Sequence, residues 1–140
     1  MTKEVLLTIT GQQFDGESEQ KYSDTFPGEY YERGGKRYVV YDETMEGFTE
    51  STRNIIRFTE KKVDVSKKGV VNTQMLFEEN KLNRTGYRTP YGELVMGINT
   101  SGIRFLETEE RIRMDVEYEL ELNYEHQADC KISIDIRPRV

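Results

Sequence analysis

Residues 111 to 124, RIRMDVEYELELNY, alternate between apolar and polar side chains almost without a break. The apolar residues at every second position are Ile112, Met114, Val116, Tyr118, Leu120, Leu122 and Tyr124. A helix would distribute these side chains around its circumference, whereas a strand places all of them on one face. The segment therefore predicts a long β-strand with one buried face and one face in water.

The end of the chain repeats this alternation. The predicted inward residues are Cys130, Ile132, Ile134 and Ile136, and the residues between them are polar or charged. The polar segment Glu125 to Asp129 separates the two strands, and we predict that it forms their hairpin loop with His126 inside it.

Shorter strands are predicted upstream by the same rule. The first contains Val5, Leu7 and Ile9 and ends at Gly11. Further predicted strands cover residues 29–33, 37–42, 53–59, 62–66, 70–78, 93–100 and 103–107, the last two being either separate or one strand bent at Ser101-Gly102. The dipeptide Gly34-Gly35 predicts a two-residue hairpin turn, because both glycines tolerate a positive φ. Thr44 to Glu50 is the one gap that could hold a helical turn.

Strands of this number and spacing are typical of an all-β protein. Short turns between consecutive strands favour an up-and-down meander, and closing the meander into a barrel removes its exposed edges. We therefore predict a single antiparallel up-and-down β-barrel of about eight to ten strands. The length of the chain predicts one domain over residues 1–140.

The composition excludes several classes of partner. The net charge of −6 repels phosphate backbones and anionic lipid surfaces, so neither nucleic acid nor a membrane is expected. The apolar run at the start is too short for a signal peptide. The single cysteine, Cys130, excludes an internal disulfide. We expect a cytoplasmic protein.

A set of short motifs, in this order along the chain, resembles one family. The motifs are Tyr41-Asp42-Glu43-Thr44 with Glu46-Gly47, Met75 with Phe77-Glu78, the run from Tyr87 to Leu94 (YRTPYGEL), Thr100, and Ile112 to Leu122. Over nearly its whole length the chain resembles the YwiB-like family of small bacterial proteins, a domain of unknown function assigned to the calycin (lipocalin-like) β-barrels. The resemblance implies a barrel with a partly enclosed interior, and it implies no established activity and no catalytic residues. Asn80 and Arg111 stand where the family usually has glycine. These differences bear on the backbone geometry of the two turns that contain them and leave the expected fold unchanged.

The stretch Thr89-Pro90-Tyr91-Gly92 has two interpretations. Proline at the second position and glycine at the fourth are typical of a turn that sets the register of the flanking strands. Alternatively, Tyr87, Thr89 and Tyr91 offer hydroxyl groups at a barrel mouth to a ligand whose apolar part lies inside.

The residues predicted to line the interior include Met75, Phe77, Met96, Met114 and Tyr118. Methionine adapts to irregular surfaces and recurs in permissive binding sites. A barrel of this size can be filled by its own side chains or can hold one small ligand. The hydroxyl of Tyr118 needs a partner if it is buried. A solid core and a ligand cavity therefore both stay open at this point.

The remaining polar groups predict no catalytic or metal site. His126 and Cys130 together fall short of the ligand number of a zinc site, so neither a metal nor a cofactor is expected. The lysine pairs Lys61-Lys62 and Lys67-Lys68 are interpreted as protection of strand edges against aggregation. The arginines at positions 53, 57, 104 and 113 are predicted to pair with acidic residues on the outer face.

Two functional hypotheses follow. The first is a non-enzymatic binder of a small apolar or amphipathic ligand at one barrel mouth, and the second is a packed interaction or scaffold module, monomeric or homodimeric. No phosphate-binding glycine loop, nucleophile elbow or HExxH motif occurs, so an enzyme is not expected. A continuous void beneath Tyr91 and Tyr118 would favour the binder, and a solid core would favour the scaffold.

Overall fold

The computed structural model describes residues 2–139, which contain ten antiparallel strands and no helix. The strands are β1 (Glu4–Asp15), β2 (Ser18–Arg33), β3 (Lys36–Thr44), β4 (Ser51–Phe58), β5 (Lys62–Lys68), β6 (Thr73–Glu78), β7 (Lys81–Thr89), β8 (Gly92–Thr108), β9 (Arg111–Leu122) and β10 (Glu125–Pro138). Their order in the sheet is β6-β5-β4-β3-β2-β1-β10-β9-β8-β7. β1 pairs with β10, and every other ladder joins two strands that follow each other in sequence, which confirms the up-and-down topology.

The barrel is nearly closed between β6 and β7, where side chains replace most of the ladder. A single bridge joins Asn72 to Arg88, with backbone N–H···O distances of 2.8 and 2.9 Å. Further along, the hydroxyl of Thr85 donates to the carbonyl of Gln74 at 2.7 Å. The seam therefore satisfies its backbone groups by a mixture of main-chain and side-chain hydrogen bonds.

The predicted alternation is confirmed over β9 and over Cys130 to Ile136 of β10, whereas Tyr124, predicted on the buried face, lies in the turn after β9 and is 67% exposed. In β9, Ile112, Met114 and Val116 are almost completely buried. In β10, Ile134 and Ile136 are fully buried, and these inward side chains join one core cluster with those of β1, β3, β4 and β5. The alternation works here because each of these strands has one face in the core and one in water.

The hairpin between β9 and β10 differs from its prediction. Asn123 and Tyr124 both have a positive φ, of 50° and 69°, so two residues complete the turn. The predicted loop over Glu125 to Asp129 is therefore wrong, and these residues belong to β10. The polar residues misled the rule because a register shift between His126 and Ala128 interrupts the alternation.

Strand β1 continues through Gly11 to Asp15, although Gly11 predicts its end. Tyr22 of β2 pairs with Gly11, and a Cβ atom added to Gly11 would lie 2.3 Å from Cζ of the tyrosine ring. Glycine is used at this position because the aromatic ring covers the backbone. The alternation also fails to reveal the first part of β2 and most of β7, because few of their side chains are apolar.

The short turns have the backbone geometry that their residues favour. Gly34 and Gly35 have φ values of 62° and 78° and connect β2 to β3, as predicted. The Thr89–Gly92 stretch is a tight connection in which Thr89 pairs with Gly92, as the interpretation of a steering turn predicts. Asn80 adopts a φ of 60°, a conformation that asparagine tolerates better than most residues.

Two open alternatives are also resolved. Residues 92–108 form one strand, β8, with a register shift between Thr100 and Gly102. The segment between β3 and β4 contains turns and bends rather than a helical turn. Within residues 2–139 no helix is long and apolar enough to cross a membrane.

One end of the barrel, which we call the closed end, is filled by side chains that meet across the interior. The rings of Phe58 on β4 and Phe105 on β8 lie 6.3 Å apart. Nη1 of Arg37 on β3 lies 2.7 Å from Oε2 of Glu107 on β8. Strands β3 and β8 are far apart in the sheet order, so this ion pair spans the barrel and covers the apolar core.

Candidate functional site

The other end of the barrel, the open end, contains a cavity of about 240 Å³. This volume corresponds to the share of liquid volume taken by roughly eight water molecules. The polar residues in its lining are Tyr22, Asp24, Tyr41, Glu43, Lys67 and Tyr118. The rest of the lining is apolar, and isoleucine and phenylalanine side chains dominate it. An apolar wall with a few convergent polar groups is typical of small-molecule sites.

Three polar side chains on neighbouring strands form a network, and two of them, Lys67 and Glu43, lie in this wall. Nζ of Lys67 on β5 lies 3.0 Å from Oε1 of Glu43 on β3, and it donates to Oδ1 of Asn54 on β4 at 2.7 Å. Nδ2 of Asn54 in turn donates to Oε1 of Glu43 at 3.2 Å. Asn54 is fully buried, and the side chains of Lys67 and Glu43 are 21% and 24% exposed. Groups buried to this degree need hydrogen-bond partners, which the network supplies.

The position of Lys67 corrects one prediction. β5 pairs on both sides, with β4 and β6, so it is not an edge strand. Lys67 continues the inward face that begins with the buried residues Val63 and Val65. The interpretation of this lysine as an edge guard is therefore wrong. The signal was available, because period two places Lys67 on the same face as the two valines.

Aromatic rings form much of the cavity surface. The ring of Tyr118 packs against Phe77 in an edge-on arrangement with centroids 4.9 Å apart. The rings of Tyr41 and Phe26 lie 4.7 Å apart. Tyr22 is 48% exposed and lies at the mouth of the cavity, over β1. The cavity thus has aromatic surfaces from its interior to its mouth.

The three phenol groups of the lining stay protonated. Burial raises the pKa of Tyr118 and of Tyr41 far above the ordinary tyrosine value, and neighbouring groups raise both further. The pKa of Tyr22 is also raised, first by burial and then by Cys130, Asp24 and Glu43. At neutral pH these side chains are therefore uncharged groups that can donate and accept hydrogen bonds.

Some of the predicted ligand-binding residues meet in this cavity. Met75, Phe77 and Tyr118 line it. Met96 and Met114, which are 4% and 0% exposed, lie in the packed core outside the cavity lining. Face assignment from period two cannot separate these two groups, because all five residues face inward.

The three hydroxyl-bearing residues predicted at the barrel mouth, Tyr87, Thr89 and Tyr91, do not come together around this cavity. Tyr87 is half-buried and packs against the core cluster. The hydroxyl of Thr89 accepts a hydrogen bond from the backbone N–H of Tyr91 at 3.1 Å, within their own turn. Tyr91 is 90% exposed, and its side chain is outside the cavity lining.

Several of the arginines predicted on the outer face form ion pairs there. Nη2 of Arg57 lies 2.8 Å from Oδ2 of Asp64, and Nε of Arg53 lies 3.3 Å from Oδ1 of Asp42. Both pairs join adjacent strands, as predicted. The cavity lining contains no arginine among residues 2–139.

A cluster on the outer face could offer ligands to a metal ion. The ligand atoms of Glu119, His126 and Asp129 lie within 4.8 Å of one another, and all three side chains are exposed. Nδ1 of His126 already lies 2.9 Å from Oε1 of Glu119. An exposed cluster of this kind is explained by surface ion pairing.

Another hollow, of about 940 Å³, lies on the surface beside β8. Glu60, Lys61, Glu78, Glu79 and Lys81 form much of its wall. It is wide open, and its charged side chains are mostly solvated. The smaller cavity at the open end is the better candidate, because Lys67 and Glu43 in its wall are held in position by hydrogen bonds.

Comparison with known proteins places the chain in a family of unknown function. The profile of the family described as "Domain of unknown function (DUF1934)" matches residues 7–134. No curated protein matches the chain with significance. The crystal structure of ywiB protein from Bacillus subtilis is similar, with a TM-score of 0.87 and 20% sequence identity over 99% of this chain and 93% of that one. At this identity the likeness shows the fold alone, and together with the family match it confirms the resemblance seen in the motifs.

Proposed function

The chain belongs to the DUF1934 family, and we propose that it binds one small, partly apolar ligand in the cavity at the open end, without catalysing a reaction. The observation that carries this proposal is the network in which Lys67 and Glu43, in the wall of the cavity, are bound to each other and to the buried Asn54. Replacing such a network by apolar side chains is often neutral or stabilising. Its presence beside a void therefore supports a role in orienting a ligand.

The chemistry of the lining supports binding rather than catalysis. Cys130 is buried, and burial raises the pKa of its thiol, which disfavours the nucleophilic thiolate. The phenol groups of Tyr22, Tyr41 and Tyr118 are uncharged at neutral pH. These groups can hold a ligand by hydrogen bonds, and they supply neither an activated nucleophile nor a base with a pKa near 7.

The proposal includes the compartment and the oligomeric state in which the protein binds its ligand. A cytoplasmic protein, monomeric or homodimeric, agrees with the single reduced cysteine of the sequence. The net charge of −6 disfavours nucleic acid and anionic membranes as partners. The alternative function, a packed scaffold, is favoured by the closed end, where the rings of Phe58 and Phe105 meet across the interior.

Native mass spectrometry of protein purified gently from bacterial cytosol tests the proposal. We expect an additional mass that is lost on denaturation. In the variant Met75→Trp the larger side chain occupies the cavity, so the additional mass should disappear. The control Leu82→Trp places the same side chain on the outside of β7, where Leu82 is 41% exposed, and should keep it.

Thermal unfolding shows whether each variant is folded, and Ile132→Phe fills the cavity from β10 if Met75→Trp does not fold. An additional mass that persists in both folded cavity-filling variants would contradict the proposed site. If the parent protein from several preparations shows only the mass of the unliganded chain, the packed scaffold would be favoured.

A further inference from the structure

The charges in the wall of the cavity do not balance. The lining contains two carboxylates, Asp24 and Glu43, and one ammonium group, that of Lys67. Lys67 is already bound to Glu43 and Asn54, at 3.0 and 2.7 Å. Asp24 has no ion pair or side-chain hydrogen bond among residues 2–139. The charged group left free for a ligand is therefore a carboxylate.

Asp24 is exposed at the mouth of the cavity, between two aromatic side chains on the same face of β2. Tyr22, Asp24 and Phe26 occupy alternate positions of the strand, and all three line the cavity. Same-face neighbours on a strand are about 6.6 Å apart, which is within reach of a ligand that bridges them. Tyr41 packs against Phe26 and extends the aromatic surface inward. A carboxylate beside aromatic rings is the arrangement that attracts an organic cation.

An anionic ligand fits this wall poorly. Its charge would approach Asp24 and Glu43 together, and the only ammonium group of the lining is neutralised by its own neighbours. Like charges at close range disfavour each other more strongly where water is partly excluded. The raised pKa of Tyr22, to which burial contributes first and Asp24 and Glu43 contribute later, agrees with a negative potential at the mouth.

We propose that the cavity selects a small organic cation, an ammonium group attached to a short apolar body, with Asp24 as its counter-ion and Tyr22 and Phe26 as its aromatic neighbours. This inference rests on the proposed function, because it assigns a ligand class to the same cavity. The volume of about 240 Å³ limits the apolar body to roughly one aromatic ring or a short aliphatic chain.

Three probes with one apolar body and different head groups test this inference. Phenethylamine, 2-phenylethanol and 3-phenylpropionate are titrated separately into the protein at neutral pH, and binding is followed by NMR of the isoleucine and methionine methyl groups. We expect phenethylamine to bind most tightly, about tenfold tighter than 3-phenylpropionate, from one ion pair and the adjacent rings. A stronger response to 3-phenylpropionate than to phenethylamine would overturn the inference.

Two substitutions distinguish the carboxylate of Asp24 from a carboxylate outside the cavity. Asp24→Asn should weaken the binding of phenethylamine about fivefold and leave that of 2-phenylethanol unchanged, whereas Asp15→Asn, at an exposed position outside the cavity, should change neither. If Asp24→Asn has no effect in a folded protein, the assignment of a cation is wrong.

Failure of the cation inference can be distinguished from failure of the proposed function. If none of the three probes shifts the cavity methyl groups at millimolar concentration, the cation inference is overturned. An additional mass that depends on the cavity in the native spectrum would still support a binder of another ligand class.

Discussion

The closed and open ends of the barrel are formed by the same strands and follow the same alternation, but their inward positions hold different side chains. At the closed end Val5, Val63, Ile112 and Ile136 are fully buried, and an ion pair between Arg37 and Glu107 spans them. At the open end the inward positions of three neighbouring strands hold Glu43, Asn54 and Lys67, beside a cavity.

The difference shows how a small barrel can be both stable and hollow. Burial of apolar surface is the main favourable term in folding, and the closed end supplies much of it. The open end departs from the rule that inward positions are apolar. Departures of this kind are expected at functional sites, where binding and not stability selects the residues.

The largest difference in stability between the two ends is expected from a matched pair of substitutions on β10. Ile136→Ala removes a fully buried side chain at the closed end and should lower the free energy of unfolding by about 2–5 kcal/mol. Ile132→Ala removes the same side chain where it is half-buried beside the cavity, and its cost should be below about 2 kcal/mol. Urea denaturation measures both, and equal losses would mean that the open end is packed as tightly as the closed end.

A smaller effect is expected from the buried phenol groups of the open end. The pKa of Tyr118 is raised in the folded protein, so above pH 10 the unfolded chain releases a proton that the folded protein keeps. Its contribution to stability is therefore complete below pH 10 and is lost as the pH rises further, by about 1.4 kcal/mol per pH unit.

Urea denaturation between pH 8 and pH 11 tests this prediction. Tyr118→Phe should reduce the alkaline loss of stability, whereas Tyr91→Phe, at an exposed tyrosine, should not. The same alkaline slope in Tyr118→Phe as in the parent protein would show that this hydroxyl is in contact with water.

The smallest effect is expected at the turn between β7 and β8. Tyr91→Ala removes a side chain that is 90% exposed, so the free energy of unfolding should change by less than about 0.5 kcal/mol. The additional mass in the native spectrum should persist, because the side chain of Tyr91 is outside the cavity lining. Loss of that mass in Tyr91→Ala would revive the hypothesis that the turn acts as a ligand gate.

Much of the fold can be predicted from the sequence because it depends on local rules. The alternation over residues 111–124 predicts β9, since that strand has one apolar face. The first part of β2 escapes prediction because residues 18–25 are exposed on both faces and carry no alternation. The loop predicted after β9 is wrong because asparagine and tyrosine at 123 and 124 already complete the turn.

The candidate site is less predictable than the fold. Met75, Phe77 and Tyr118 can be assigned to the interior because they are apolar or aromatic at inward positions. Lys67 and Glu43 are overlooked because a charged residue at such a position contradicts the rule by which faces are assigned. The contradiction disappears once the two side chains are seen to neutralise each other.

The sequence by itself determined the strands, the faces of most of them and the positions of several turns, because alternation and turn geometry act between residues that are close along the chain. Only the tertiary structure decided which inward positions meet. Lys67 reaches Glu43 across 24 residues and Arg37 reaches Glu107 across 70, and each contact depends on the register of every strand between them. Whether the interior is solid or hollow depends on the same registers, because a void is a property of side chains that converge from several strands.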